Sequence, residues 1–340
     1  MHSYNAHSIY HGQMRVLIAA YHSFELWCAP PWLEQRLRSA FPSIEFEQIA
    51  DYTNLSEKIV DADVLISWTI KPEQFLHAKK LKWIHSPAAA VHQLMFPELV
   101  NSTVVVTNAR EVHGPVVAEH IMAVLLALAK RLPDAVRMQE KDHWGQSDML
   151  KFIPPVREVR GAKVCLVGMG SIGRAFTLMA KAMGIEVTVV REHPERGSED
   201  ADGVVGMELL ENVLPSADYV VLAAPLTTTT KGMMNVKTIS CMAKHSCLIN
   251  VSRGPLVDDF ALIEALRSGK IGGAALDVFA EEPLPATSPY WKMENVLVTP
   301  HSAAITSKLW ERHFEQFSEN LRRFLAGETL MSRVDKSKGY

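Results

Sequence analysis

The chain alternates short, β-branched apolar runs with helical segments, and that alternation restricts it to parallel α/β architectures. A strand covered by helices on both faces reads as an unbroken hydrophobic run. A first series of such runs covers Met14–Ala20, Ile44–Ala50, Asp63–Trp68, Leu81–His85 and Thr103–Asn108. A second covers Lys163–Gly168, Glu186–Val190, Tyr219–Ala224, Cys247–Val251, Gly273–Phe279 and Asn295–Pro300. Two doubly wound parallel sheets are expected, one for each series.

Between the series lies Pro115–Leu132, apolar almost all round, which predicts a helix buried on more than one side and joining two domains. The last helix, Ser307–Gly327, is amphipathic, with Leu309, Phe314, Phe317, Leu321 and Leu325 on one side. It follows the last strand of the second series, so it is expected to cross back and make the first domain discontinuous. The expected domains are residues 14–109 with 305–330, and residues 110–304. Residues 1–13, "MHSYNAHSIYHGQ", contain no apolar core like that of a signal peptide and read as a disordered extension.

With 340 residues, 48% of them hydrophobic and 21% charged, and a formal net charge of −3, the composition is that of an ordinary soluble globular protein. No basic run suits nucleic acid, and no apolar stretch is long enough to cross a bilayer without interruption by Lys, Arg or Pro. Cys28, Cys165, Cys241 and Cys247 are far apart and lack metal-ligand spacing, which predicts free thiols in a reducing cytosol and no metal site.

The stretch "VGMGSIGRAF" places Gly168, Gly170 and Gly173 in a G-x-G-x-x-G pattern, with Met169, Ser171 and Ile172 between them, directly after a strand and opening a helix. In that context the first glycine permits a tight turn and the second lets backbone approach a pyrophosphate. The third lets helix and strand pack closely, and the helix N-terminus favours the phosphate charge. The next strand ends at Val190, so Arg191 stands where a carboxylate would usually hold the adenosine ribose. A guanidinium there binds a 2′-phosphate by forked, charge-assisted hydrogen bonds, with Arg196 or His193 able to add to the site. Glu192, one position on, should point elsewhere because side chains alternate along a strand. NADP(H) is therefore favoured over NAD(H), which stays possible.

Three further polar residues follow strands of the second series: Arg253 in "NVSRGPLVD", Glu282 in "DVFAEEPLP" and His301 in "VTPHSAA". Singly, each has a structural reading, as a turn residue, a surface acid and a helix cap. At the carboxyl ends of strands in one sheet, where such sheets bind ligands, they can converge on one crevice. The guanidinium of Arg253 can fork to a carboxylate and a neighbouring carbonyl oxygen of a ligand there. His301 can protonate the alkoxide as hydride arrives, with Glu282 bonded to its other ring nitrogen and fixing its orientation.

The motifs "GMGSIG", "PLTTTTKGMMN", "LINVSRGPLVDDFALIEALRSGKIGGAALDVFAEEPLP" and "NVLVTPHSAA" resemble the D-isomer-specific 2-hydroxyacid dehydrogenase family over nearly the whole chain from Met14. The resemblance implies a Rossmann cofactor domain and a flavodoxin-like substrate domain with the active site in the cleft between them. It also implies a homodimer, and catalytic roles for Arg253, Glu282 and His301. Cofactor contacts are implied for Ala224, Pro225, Val251, Ser252, Asp277 and Ala303. Among these, Pro225 resembles the wall of the adenine pocket, and Asp277 the acid that holds the nicotinamide carboxamide. From its residues alone, Asp277 also reads as a buried carboxylate satisfied by backbone.

In "SPAAAV", the residues Ala89, Ala90 and Val91 resemble the loop whose amides bind the substrate carboxylate, with Ala90 where the family usually has glycine. Trp144 lies in a segment that reaches toward the partner subunit's active site in glyoxylate/hydroxypyruvate reductases of this family; an exposed tryptophan can also simply pack at an interface. The arginine at the ribose position and the short tail after Gly327 favour such a reductase, acting on a small 2-keto acid in the cytoplasm. A phosphoglycerate dehydrogenase and a non-catalytic, corepressor-like nucleotide sensor are the alternatives.

Overall fold

The computed structural model describes residues 14–339, so the expected N-terminal extension lies outside the described residues. The described residues divide into two units, one made of residues 14–113 with 305–339 and the other of residues 114–304. The first holds five strands, β1 (Arg15–Ala19), β2 (Glu45–Gln48), β3 (Val64–Ser67), β4 (Trp83–Ser86) and β5 (Val105–Asn108), in the order β2-β1-β3-β4-β5 with every pairing parallel. Alternate residues serve opposite faces. Val16, Ile18, Val64 and Ile66 join one apolar cluster, while Leu17, Ala19 and Leu65 join the other.

The helix Leu309–Ala326 covers the first of these faces with Trp310, Phe317 and Leu321, and Phe317 stacks on Trp83 at 5.1 Å between ring centroids. Leu325, expected on that face, is 40% exposed; Phe324 takes its place. Seven residues beyond Phe317 the helical repeat returns to the same stripe, and position 325 falls on its shoulder.

The second unit carries β6 (Lys163–Val167), β7 (Glu186–Arg191), β8 (Gly203–Gly206), β9 (Tyr219–Leu222), β10 (Cys247–Asn250), β11 (Gly273–Leu276) and β12 (Val296–Val298). Their order is β12-β11-β10-β9-β6-β7-β8, again parallel throughout. Succession reverses direction between β6 and β9, the switch point at which such sheets leave a crevice at their carboxyl ends. Strand β8, "GVVG", is additional to the expected set: two valines between glycines at a sheet edge are too short a run to stand out in sequence.

The expected helix Pro115–Leu132 instead covers Arg110–Ala129, with Pro115 inside it. Proline suits a first helical turn, and five residues further in it leaves one backbone hydrogen bond unmade without ending the helix. The helix stops early because Arg131 takes a left-handed conformation, φ 56°. By length and composition this one helix is apolar enough to span a bilayer, although Arg110 and Pro115 interrupt it and Lys130 follows it. Its residues Val117, Ala118, Ile121 and Leu125 are nevertheless buried in the core against Val164, Leu166, Val187 and Val189. All four cysteines are free thiols, and burial pushes Cys165 up to about 12 and Cys247 up to about 11.

Candidate active site

The glycine loop joins β6 to the helix Ser171–Ala182, and its three glycines meet three different needs. Gly168 has φ 99°, and a Cβ there would sit 2.8 Å from the carbonyl of Ala223. Gly170 caps the helix with no atom within 4 Å of where a Cβ would lie, so its face is open. At Gly173 a Cβ would come within 2.5 Å of the Gly168 oxygen. Turn, open approach and close packing together fit a dinucleotide pyrophosphate at a helix N-terminus.

Arg191 closes β7, with its side chain only 11% exposed. Its Nη1 donates to Glu199 Oε1 at 3.2 Å, and Arg174 Nη1 approaches Glu199 Oε2 at 3.6 Å. Arg196 and Glu192 are exposed, and His193 Nδ1 faces Glu195 at 3.2 Å. Neither Arg174 nor Glu199 was legible beforehand. The first is an ordinary position in a helix, the second a charged residue in a loop.

After β10 the backbone turns at Ser252 and Arg253. Asn250 holds the turn, its Oδ1 accepting from the Ser252 amide at 3.1 Å and its Nδ2 donating to the Arg253 carbonyl at 3.1 Å. Ser252 Oγ donates to the Ala224 carbonyl. The half-buried Arg253 guanidinium spends Nη1 on the Ser252 carbonyl at 2.6 Å. Burial lowers its pKa against the opposing pull of Glu282. Gly254 is packed so closely that a Cβ would lie 1.9 Å from the Phe279 carbonyl carbon. That contact presses the Arg253 turn against the segment leading to Glu282.

Glu282 uses both oxygens: Oε1 accepts from the Phe279 amide at 2.8 Å, and Oε2 lies 2.6 Å from His301 Nδ1. His301 itself has φ 49°, an uncommon conformation for a side-chain-bearing residue. Asp277 maintains it. The Asp277 carbonyl accepts from the His301 amide at 2.9 Å, while its carboxylate takes Thr299 Oγ1 at 2.6 Å and the amides of Ser302 and Ala303 at 2.9 and 3.0 Å. His120 Nε2 lies 3.3 Å from Thr299 Oγ1, and burial lowers its pKa although Asp277 pulls the other way. Sequence reading missed His120 and Thr299, which carry no motif of their own.

Pro225 is exposed, whereas Met169, Ala224, Val251 and Ala303 are buried around the sheet edge. In the first unit, Asn108 Nδ2 donates to the Ala89 carbonyl at 2.7 Å and the Ala109 amide to Ala88 at 3.0 Å. Among the described residues, the amides of Ala89, Ala90 and Val91 donate to no protein acceptor. Ala90 is not among the residues with positive φ, so its methyl group stands on unstrained backbone.

The model of the D-isomer specific 2-hydroxyacid dehydrogenase NAD-binding domain matches residues 122–303, which lie within the second unit. The chain belongs to this family. A glyoxylate reductase of Korarchaeum cryptofilum is 34% identical over 289 residues, covering 82% of this chain and 85% of that protein. A D-3-phosphoglycerate dehydrogenase of Methanocaldococcus jannaschii is 31% identical over 83% of this chain, which spans only 53% of that relative. Among solved structures, the NADPH-dependent glyoxylate/hydroxypyruvate reductase of Sinorhizobium meliloti, in complex with NADP and sulfate, superposes with a TM-score of 0.78 at 26% identity, covering 96% of this chain and 100% of that one. This family member is an NAD(P)-dependent 2-hydroxyacid dehydrogenase, and residues 122–303 form its nucleotide-binding part.

Proposed function

We propose that the chain reduces a small 2-keto acid, of the glyoxylate or hydroxypyruvate class, to the D-2-hydroxy acid with NADP(H). The observation that carries this reading is the 2.6 Å pair of His301 Nδ1 and Glu282, placed on the same sheet edge as the open glycine loop. The nicotinamide supplies the hydride. With Nδ1 engaged by Glu282, Nε2 of His301 is the nitrogen that gives a proton to the new alkoxide and takes it back in oxidation. Arg253 has donors beyond the one spent on Ser252, and these neutralise the substrate carboxylate and the developing oxyanion. Asp277 and Thr299 hold the His301 backbone while this happens.

NADP(H) is favoured because Arg191 presents a guanidinium at the end of β7, and the Sinorhizobium enzyme, similar in fold, is described as NADPH-dependent. Initial rates with glyoxylate and hydroxypyruvate, measured with NADPH and NADH side by side, test this. A preference for NADPH of about 10- to 100-fold is expected, the equivalent of a charged hydrogen bond, and Arg191→Asp should abolish it. Preference of the unaltered protein for NADH would remove the Arg191 assignment and leave the dehydrogenase.

We also assign a homodimer. Trp144, Leu150 and Ile153 are 88%, 86% and 85% exposed in one short segment of the second unit, an apolar surface suited to a second copy. Light scattering should give twice the chain mass at micromolar concentration; a monomer there would end this assignment.

A further inference from the structure

Arg191 already holds a carboxylate of the same chain. Glu199 lies between two guanidinium groups that come from different elements, Arg191 at the end of β7 and Arg174 in the first turns of the helix Ser171–Ala182. That helix also supplies the N-terminus of the glycine loop. The seat therefore adjoins the proposed nucleotide site on two sides.

We propose that Glu199 is an internal counter-ion occupying the place of the ribose 2′-phosphate, that it is displaced when NADP(H) binds, and that Arg174 is the second arm of the phosphate seat. The proposal rests on the NADP(H) reading of Arg191 and deepens it.

Three features make exchange the expected behaviour. A guanidinium as buried as that of Arg191 needs a partner of opposite charge, since an unpaired charge there is costly. Glu199 serves in the absence of nucleotide, yet it serves poorly. Among the described residues its buried Oε2 accepts no hydrogen bond, and Arg174 approaches it at 3.6 Å. A phosphate brings more oxygens and about twice the charge, so it outcompetes one carboxylate for the same two cations.

The backbone argues the same way. Glu199 and Asp200 both lie in the left-handed region, at φ 45° and 73°, just after Gly197 at φ 95°. Two consecutive non-glycine residues there are strained, so the local chain prefers another conformation and the ion pairs hold it in this one. Loss of those pairs to an incoming phosphate relieves the strain. Sequence alone shows a glutamate in a charged loop; the contact to Arg191 exists only through this unusual turn.

The experiment compares the dissociation constants of NADPH and NADH, read from nicotinamide fluorescence, for the full chain and for Glu199→Gln and Arg174→Gln. Removing the competing carboxylate should tighten NADPH by about three- to tenfold, because the seat no longer has to be vacated first, and leave NADH within about twofold. Arg174→Gln should weaken NADPH by about tenfold and spare NADH. The 2′-phosphate increment is checked separately by competition with 2′,5′-ADP against 5′-ADP, which should widen in Glu199→Gln. If the unaltered protein prefers NADPH but Glu199→Gln leaves its affinity unchanged or weaker, the exchange is overturned and the NADP(H) reading stands. If the unaltered protein prefers NADH and Glu199→Gln weakens NADH, Glu199 is a ribose ligand and both fall.

Discussion

Arg253→Ala is expected to lower kcat for a 2-keto acid by about a thousandfold while NADPH affinity stays within about twofold. The guanidinium is half-buried beside Glu282, and one of its donors is already bound to the Ser252 carbonyl. In the proposed reaction its remaining donors face charge that grows as hydride reaches the carbonyl, so their loss should be felt most in the transition state. Arg253→Lys restores a positive charge without the planar fork and should recover only a small part of the rate. Because Gly254 and Asn250, not the Arg253 side chain, set the turn, both variants should fold and bind cofactor as the original does. Turnover within tenfold of the original in Arg253→Ala would refute the assignment. If a cellular effect of the protein survived the loss of turnover while cofactor binding persisted, the nucleotide-sensor alternative would take precedence.

What could be read beforehand was what depends on local pattern. Strands such as β3, "VLIS", and β9, "YVVL", are buried at every position, and a run buried on both faces is conspicuous because no polar residue interrupts it. The residues around the proposed chemistry were visible for a related reason. Arg253, Glu282 and His301 each stand shortly after such a run, so the strand endings announce them. The contacts that hold them were not visible. Asp277 grips the loop beyond β12 through backbone amides, and Gly254 meets Phe279 backbone to backbone, contacts made only once β10, β11 and β12 lie side by side. The Arg191 partner was hidden by a turn that non-glycine residues seldom adopt. Buried polar side chains in the first unit were hidden most completely: His85, His113 and His313 come from three distant parts of the chain and are brought together only by tertiary packing.

Those histidines make acid stability the second large expected effect. His85 is fully buried on β4, with Nδ1 2.9 Å from Thr107 Oγ1, and burial pushes its pKa down to about 3. His313 is buried on the last helix, its ring 4.9 Å from Trp310 and 5.8 Å from His113. Neither of its ring nitrogens has a hydrogen-bond partner among the described residues. Its pKa lies well below the usual value, first from burial and then from His113 and His85, with no carboxylate opposing the shift. His113 Nε2 faces the Pro87 carbonyl at 3.2 Å, and the aromatic rings of Trp83 and Phe317 complete the surroundings of His85.

Both folded-state values are depressed below 6.5, so the unfolded chain takes up protons that the folded chain refuses. Stability is unaffected above that pH and falls below it, by about 1.4 kcal/mol per pH unit for each group. At pH 5 His85 alone removes about 2 kcal/mol and His313 adds to the loss in the same direction, against the roughly 5–15 kcal/mol that holds a domain folded. Urea unfolding followed by tryptophan fluorescence reads this in the first unit, which contains Trp27, Trp32, Trp68, Trp83 and Trp310. The midpoint should be flat from pH 8 to about 7 and drop steeply toward pH 5, with an uptake of about two protons on unfolding. His313→Leu should reduce that uptake by about one proton and flatten the drop, whatever it does to stability at neutral pH. An unchanged proton count in that variant would mean that His313 is not held neutral by its surroundings, and that the acid sensitivity of the first unit has another source.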